Sequence, residues 1–129
     1  MRLLLDTHVA VWAVDNTAML PARIRTLIAE EAEQVFVSTI VLWEIAIKHS
    51  LGRKSAPNVS AARANMHFEN AGFFVLPISM AHVLAVADLP GHHGDPFDRM
   101  LVAQALTEPM RLVTHDQTLA AYSDTIITF

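Results

Sequence analysis

The chain has 129 residues, of which 53% are hydrophobic and 17% charged, and its formal net charge is -4. This length predicts one domain over residues 1–129, with a core large enough to fold without a structural metal or disulfide. The absence of cysteine excludes disulfide frameworks, thiolate zinc sites, iron–sulfur clusters and cysteine nucleophiles. No apolar run approaches the ~18 to 20 residues of a membrane span. Asp6 interrupts the apolar N-terminal stretch, so we expect neither export nor membrane insertion, and a cytoplasmic location.

Hydropathy and charge constrain the partners of this chain. Its mean hydropathy of +0.35 is high for a protein without a membrane segment. We therefore expect surplus apolar side chains to cover an interface with a second copy or another protein. The acidic net charge argues against a protein held on nucleic acid by bulk charge, although a local basic patch or bound cations would still permit RNA binding.

Short β-rich runs alternate with longer helical patterns along the chain. The predicted strands are Arg2–Leu5, Val35–Val37, Phe73–Leu76, Leu112–Val113 and Thr125–Ile127. The predicted helices are Val9–Val14, Ala22–Glu31, Thr39–Leu51, Ala61–Ala71, Ser79–Ala87 and Pro96–Glu108, and residues 53–60 are predicted to form a loop. The alternation predicts an α/β sandwich with a mostly parallel sheet of about five strands, whose reactive groups gather beyond the carboxyl ends of the strands.

Two acids directly follow predicted strands. Asp6 ends the first strand, and Asp116 follows the strand near Leu112. Both carboxylates should therefore emerge at the same edge of a parallel sheet. Either acid could instead cap the helix that begins after it, which is a common use of Asp.

Two further acids belong to predicted helices. Glu44 is the only acid between Ser38 and Lys48, and helical spacing places it on an apolar row that faces inward, where it needs a partner. The alternative is an exposed salt bridge to Lys48, four residues on. In the other helix, Asp95 suits the N-cap and Asp98 the third helical position, where the helix dipole favours it but does not require it to face the sheet edge.

Four carboxylates brought together repel one another, and each pKa rises unless divalent cations neutralise the site. Oxygen ligands favour Mg²⁺ or Mn²⁺ over zinc. Such cations activate water and stabilise the charge that develops on a phosphodiester. The acids therefore predict metal-assisted hydrolysis.

The segments that carry these acids also match a family pattern. The run Leu3–His8, the segment Ser38–Lys48, the block Asp95–Ala105 and the tetrapeptide Val113–Asp116 together resemble the PIN domain, and more narrowly the VapC-type toxins of prokaryotic type II toxin–antitoxin pairs. The resemblance spans essentially the whole chain, as a single PIN domain over residues 1–129. It implies a PIN-like three-layer sandwich and a Mg²⁺- or Mn²⁺-dependent endoribonuclease.

The same resemblance implies site residues and partners. The acidic quartet that binds metal and performs catalysis would be Asp6, Glu44, Asp98 and Asp116. Asp95 would cap its helix or touch the metal site. The resemblance further implies a cytoplasmic homodimer, inhibited by a small antitoxin that inserts a segment into the acidic groove.

Other functions remain open at this point. The chain could be a PIN-like module that binds RNA or protein without cleavage, or a housekeeping RNA-processing nuclease. A haloacid-dehalogenase-like phosphatase also begins with an Asp after its first strand, but it needs a second Asp where this chain has His8.

Basic residues near the acids are candidates for RNA contacts. Lys48, Arg53 and Lys54 could hold phosphates or form a solvated helix end. Arg99 could clamp a phosphate or pair with a neighbouring acid. The adjacent pair His92 and His93 lacks the spacing of a helical ligand pair, so we do not expect a histidine metal site there.

Aromatic and hydroxyl side chains near the acids have less specific interpretations. Trp12, Trp43 and Phe97 lie in apolar helical rows and are predicted to be core or interface residues rather than base-stacking platforms. A second group lies beside the quartet, where each hydroxyl could orient a carboxylate or cap a helix. It comprises Thr7, Ser38 and Thr114.

Overall fold

The computed structural model describes all 129 residues and contains a five-stranded parallel sheet in the order β3-β2-β1-β4-β5. The strands are β1 (Arg2–Leu5), β2 (Gln34–Ser38), β3 (Phe74–Leu76), β4 (Arg111–Thr114) and β5 (Ile127–Thr128). The α-helices are α1 (Thr7–Asp15), α2 (Ala22–Thr26), α3 (Thr39–Ser50), α4 (Ala61–Asn70), α5 (Met80–Asp88) and α6 (Pro96–Thr107). The predicted α/β class and parallel sheet are confirmed.

Most predicted elements differ from the structure by one or two residues at an end, and two differences change the element itself. The predicted helix Ala22–Glu31 is an α-helix only to Thr26 and continues as a π-helix over Leu27–Glu31. The last strand lies at Ile127–Thr128 and not at Thr125–Ile127, because residues 123–126 form a turn in which the Ile126 N–H donates to the Ser123 carbonyl. The pattern thus predicts the extent of the first helix but not its change to π geometry, and it predicts the last strand but not where that strand begins.

The centre of the sheet is covered on both faces. Leu3, Leu4 and Leu5 of β1 are all 0% exposed. Because successive side chains of a strand point to opposite faces, this burial requires packing on each side of the sheet. Leu112 and Val113 of the adjacent β4 are also fully buried and belong to the same core. No helix has the length and apolar character needed to cross a membrane.

The strand order places a crevice next to β1. Strands β2 and β3 lie on one side of β1, whereas β4 and β5 lie on the other. In parallel sheets, binding crevices form beyond the carboxyl ends of strands where the order reverses in this way. The Asp6 N–H donates to the Val113 carbonyl at 3.0 Å, which joins the two strand ends at that edge.

Candidate active site

All four acids of the predicted quartet line one cleft at this sheet edge, with a volume of about 420 Å³. They come from different parts of the fold: the end of β1, the middle of α3, the first turn of α6 and the segment after β4. Ten residues line the cleft: Asp6, Thr7, His8, Trp12, Glu44, Lys48, Asp95, Asp98, His115 and Asp116. The structure thus brings together acids that are up to 110 residues apart in the chain, counting from Asp6 to Asp116.

Asp6 is buried and held by two donors. Its Oδ1 accepts the Val9 N–H at 3.1 Å, so Asp6 caps α1. Its Oδ2 accepts the Thr114 hydroxyl at 2.5 Å. Burial raises the pKa of Asp6 above its usual range, although these hydrogen bonds oppose the shift. Helix capping and a position in the cleft therefore coexist in one residue.

Glu44 is 5% exposed, and both of its oxygens have partners. Oε1 accepts the Thr7 hydroxyl at 2.6 Å, and Oε2 accepts from Lys48 Nζ at 2.6 Å. The sequence offered two alternatives for Glu44, a position that faces inward or a salt bridge to Lys48. The structure contains both. Lys48 consequently lies in the cleft as the counter-charge of Glu44.

Asp98 differs from the other acids of the quartet because its carboxylate accepts no hydrogen bond. Its side chain is 22% exposed, and its Oδ2 lies 3.6 Å from His93 Nε2. Burial, followed by the negative charges of Asp95, Asp6 and Glu44, raises the pKa of Asp98 to about 7. Near neutral pH this carboxyl is therefore a proton-binding group in a negative field, and a cation there would relieve the repulsion.

Asp116 is held by donors on both oxygens. Oδ1 accepts from the Thr118 N–H at 3.0 Å and hydroxyl at 2.7 Å, and Oδ2 accepts from His93 Nε2 at 2.8 Å. Partial burial raises the pKa of Asp116, but the hydrogen bonds from Thr118 and His93 outweigh it and lower the pKa overall. Asp116 is therefore ionised at neutral pH.

His93 is the site residue that the sequence reasoning missed. The Asp95 N–H donates to His93 Nδ1 at 3.0 Å, so the hydrogen of the neutral ring lies on Nε2 and points to Asp116. Ligand atoms of His93, Asp98 and Asp116 lie within 4.8 Å of one another. In this tautomer His93 is a donor that orients Asp116. In the sequence, His93 stands two residues before the predicted N-cap Asp95. A search for histidines at the spacing of helical metal ligands does not find such a residue.

Asp95 performs the capping role that the sequence predicted. Its Oδ1 accepts the N–H groups of Phe97 at 2.8 Å and Asp98 at 3.1 Å. The side chain also lines the cleft, and its charge contributes to the raised pKa of Asp98. A metal contact by Asp95 stays a prediction.

The predicted ion pair of Arg99 with a neighbouring acid is wrong for this structure, whereas its predicted phosphate contact stays untested. Its guanidinium donates to the carbonyls of Val86, Leu89 and Pro90 and to the Tyr122 hydroxyl, and it pairs with no acid. Arg99 therefore fixes the segment that leads to His93. Arg53 and Lys54 are exposed in the turn after α3, where the prediction of phosphate contacts stays untested.

The two tryptophans have different environments. Trp43 is 56% exposed and packs edge-on against Phe97, with ring centroids 5.7 Å apart, so its prediction as a core residue is wrong and its alternative as an interface residue stays open. Trp12 is partly buried against the core and lines the acidic cleft.

The cleft residues fit a hard divalent cation. The donor set consists of carboxylate oxygens on converging elements, and that set is typical of Mg²⁺ and Mn²⁺ sites. Asp98 supplies the free carboxylate, because neither of its oxygens accepts a hydrogen bond, while the neighbouring acids are pre-oriented by donors.

The fold and the site define a class of protein: a parallel-sheet α/β domain with carboxylates gathered beyond the strand ends. The PIN domain model matches residues 3–124, and the chain belongs to the PIN domain family. No curated protein matches the sequence.

Solved structures share the fold at low identity. VapBC2 from Rickettsia felis, bound to a DNA fragment from its promoter, has a TM-score of 0.69 at 17% identity and covers 100% of this chain and 98% of that chain. DNA-bound VapBC from Salmonella typhimurium has a TM-score of 0.66 at 18% identity, covering 100% and 97%. VapBC-5 from Mycobacterium tuberculosis, a member of the VapBC family of toxin–antitoxin systems, has a TM-score of 0.61 at 20% identity, covering 99% and 98%.

Proposed function

We propose that this PIN domain, residues 1–129, is a Mg²⁺- or Mn²⁺-dependent endoribonuclease that acts as the VapC-type toxin of a toxin–antitoxin pair. The observation that carries the proposal is the convergence of Asp6, Glu44, Asp98 and Asp116 in one cleft, with Asp98 left unpaired and its pKa raised. PIN domains are nucleases, and the matching solved structures include toxin–antitoxin complexes.

The chain's own residues prepare the cleft for phosphodiester hydrolysis. Thr114 holds Asp6, Thr7 and Lys48 hold Glu44, and His93 and Thr118 hold Asp116. These hydrogen bonds fix the carboxylates before substrate arrives, so little reorganisation is needed during the reaction. A cation held by the quartet would supply an activated water and stabilise the charge that develops on the phosphate.

We propose a cytoplasmic homodimer and an antitoxin as the protein partners. Apolar side chains are exposed on the side of α5 and α3, including Met80 at 71%, Leu84 at 63% and Trp43 at 56%. A second copy would remove this surface from water. The acidic cleft favours an antitoxin segment that carries Arg or Lys, which would compete with metal and phosphate for the same carboxylates.

The first test is RNA cleavage by purified protein with Mg²⁺ or Mn²⁺, compared with the same protein in chelator and with Asp98→Asn. The proposal expects cleavage only by the parent with metal. In cells, expression should slow growth, and co-expression of the antitoxin should restore it. Growth inhibition that persists in Asp98→Asn would favour the non-cleaving binding module. Cleavage without growth inhibition would favour a housekeeping nuclease.

A further inference from the structure

Three rings line the acidic cleft: His8, Trp12 and His115, here named the ring wall. The centroids of His8 and Trp12 are 5.7 Å apart, with a tilt of 47° between the ring planes. Those of Trp12 and His115 are 5.9 Å apart, with an edge-on angle of 69°. The indole is the one hydrophobic side chain among the ten residues that line the cleft.

The ring wall adjoins the acids through the backbone. His8 follows Asp6 by two residues, and His115 immediately precedes Asp116. Trp12 lies one helical turn beyond His8 on the same face of α1. A ligand that fills the cleft beside the acids therefore also contacts the ring wall.

Metal binding and internal hydrogen bonding do not account for the ring wall. The metal-ligating group in the cleft contains His93 but neither His8 nor His115. Only the ring of His115 has a hydrogen-bond partner, the Phe129 carbonyl at 2.6 Å. Trp12, which is partly buried against the core, thus adds an indole to an otherwise polar cleft, where apolar surface is unfavourable unless a ligand covers it.

The charge of the cleft makes such surface useful to an RNA-binding protein. The net charge is -4, and Lys48 is the only Lys or Arg among the lining residues and is paired with Glu44. Lys48 is therefore the one Lys or Arg side chain in the cleft that could contact a phosphate, and it already neutralises Glu44. Base stacking needs no protein charge and tolerates any base, because every base has a π face.

Resting on the proposed nuclease function, we infer that the ring wall binds an unpaired nucleobase beside the scissile phosphate, with Trp12 as its main platform. The substrate is accordingly single-stranded RNA at that nucleotide, since a base inside a duplex is already stacked and cannot reach the indole. Trp12 is a substrate-positioning residue that holds the strand while the acids act on the neighbouring phosphate.

Fluorescence gives a direct test, because the chain has two tryptophans and Trp43→Phe leaves Trp12 as the only one. This variant is titrated with short single-stranded RNA of randomised sequence and with an abasic ribose-phosphate strand of equal length. Ca²⁺, which also takes oxygen ligands, replaces Mn²⁺ so that the strands are not cleaved, and a gel verifies that they stay intact. The inference expects quenching by the RNA and much less by the abasic strand. Equal quenching or equal affinity for the two strands would overturn it.

Substitution of the indole provides the second test. Trp12→Ala should weaken RNA binding by roughly 5- to 150-fold, the range for loss of one base–aromatic stack, while abasic-strand binding stays unchanged. The salt dependence of RNA binding should keep its slope, because no phosphate contact is lost. Trp12→Phe should recover most of the affinity. Phe74→Ala, which removes an aromatic ring that is 49% exposed outside the cleft, is the matched control.

The outcomes separate the stacking inference from the nuclease proposal. Thermal unfolding shows whether the Trp12→Ala protein has lost its fold. If it has, the affinities of the Trp12→Phe protein for RNA and for the abasic strand are compared instead, and equal affinities refute stacking. Parent protein that cleaves RNA, together with Trp12→Ala that cleaves it with the same KM, refutes stacking and leaves the nuclease intact. Base-dependent quenching without cleavage by the parent refutes the nuclease alone. Quenching by an Arg-rich peptide but not by RNA would assign the ring wall to a protein partner and overturn the inference.

Discussion

Neutralising Asp98 should stabilise the metal-free protein at neutral and alkaline pH, although it removes a residue of the proposed metal site. The Asp98 carboxylate is mostly buried, accepts no hydrogen bond and lies in the field of Asp95, Asp6 and Glu44. Asp98→Asn keeps the shape of the side chain and removes its charge. The variant therefore resembles the protonated acid, which the folded protein prefers.

The raised pKa of Asp98 sets the size and pH range of this effect. In the unfolded chain the pKa is near 3.8, and in the folded protein it is about 7. The folded state holds the proton more tightly, so Asp98 makes the free energy of unfolding fall as the pH rises from about 4 to 7 and then level off. At ~1.4 kcal/mol for each pKa unit, the gain from Asp98→Asn above pH 7 is at most about 4 kcal/mol.

Urea unfolding in chelator, at pH 5 and at pH 8, measures the effect for the parent and for Asp98→Asn. The stability difference between the two proteins should be roughly two- to threefold larger at pH 8 than at pH 5. Asp124→Asn is the matched control, because Asp124 is exposed, lies outside the cleft and does not contribute to the raised pKa of Asp98. A stability difference that is the same at both pH values, or a loss of stability in Asp98→Asn, would refute the electrostatic reasoning.

Three further outcomes follow from the donors and charges of the site. Thr114→Val should cost about 1–3 kcal/mol in urea unfolding, because buried Asp6 loses its donor, and Thr114→Ser should restore the loss; full stability in the valine variant would contradict this. His93→Gln should weaken Mn²⁺ binding about 10- to 100-fold in calorimetry, because Asp116 loses its orienting donor; unchanged affinity would show that Thr118 alone holds Asp116. Mn²⁺ should raise the Tm of the parent but not of Asp98→Asn, and the increase should shrink as the pH falls below 7, where a proton competes at Asp98.

The parts of the site that depend on periodicity and strand order were predictable from sequence. The alternation of short apolar runs with helical patterns placed Asp6 and Asp116 at the same sheet edge, and the apolar row of α3 placed Glu44 inward. These inferences need only local patterns and the rule that parallel strands share a carboxyl edge. Element boundaries were predicted less accurately. The turn before β5, for example, moves the start of that strand to Ile127.

The electrostatic differences among the acids were not predictable, because they depend on donors that are distant in the chain. Repulsion alone predicts that neutralising any of the clustered acids stabilises the metal-free protein. The structure limits this expectation, since Glu44 accepts from Thr7, 37 residues away, as well as from Lys48. Only a tertiary structure distinguishes that acid from Asp98, and only a loop conformation brings His93 to Asp116.

The pairing of β1 with β4 has a consequence for the order in which a ribosome makes the site. Asp6 is synthesised among the first residues, but its Thr114 donor follows 108 positions later. Until β4 emerges, the central strand has one neighbouring strand instead of two, and the cleft lacks His115 and Asp116. N-terminal segments emerge first and await their long-range contacts. A nascent or truncated chain that stops before Arg111 therefore carries Asp6, Glu44 and Asp98 but neither Asp116 nor the Thr114 donor, so the proposed nuclease cannot act on the RNA around it until translation is nearly complete.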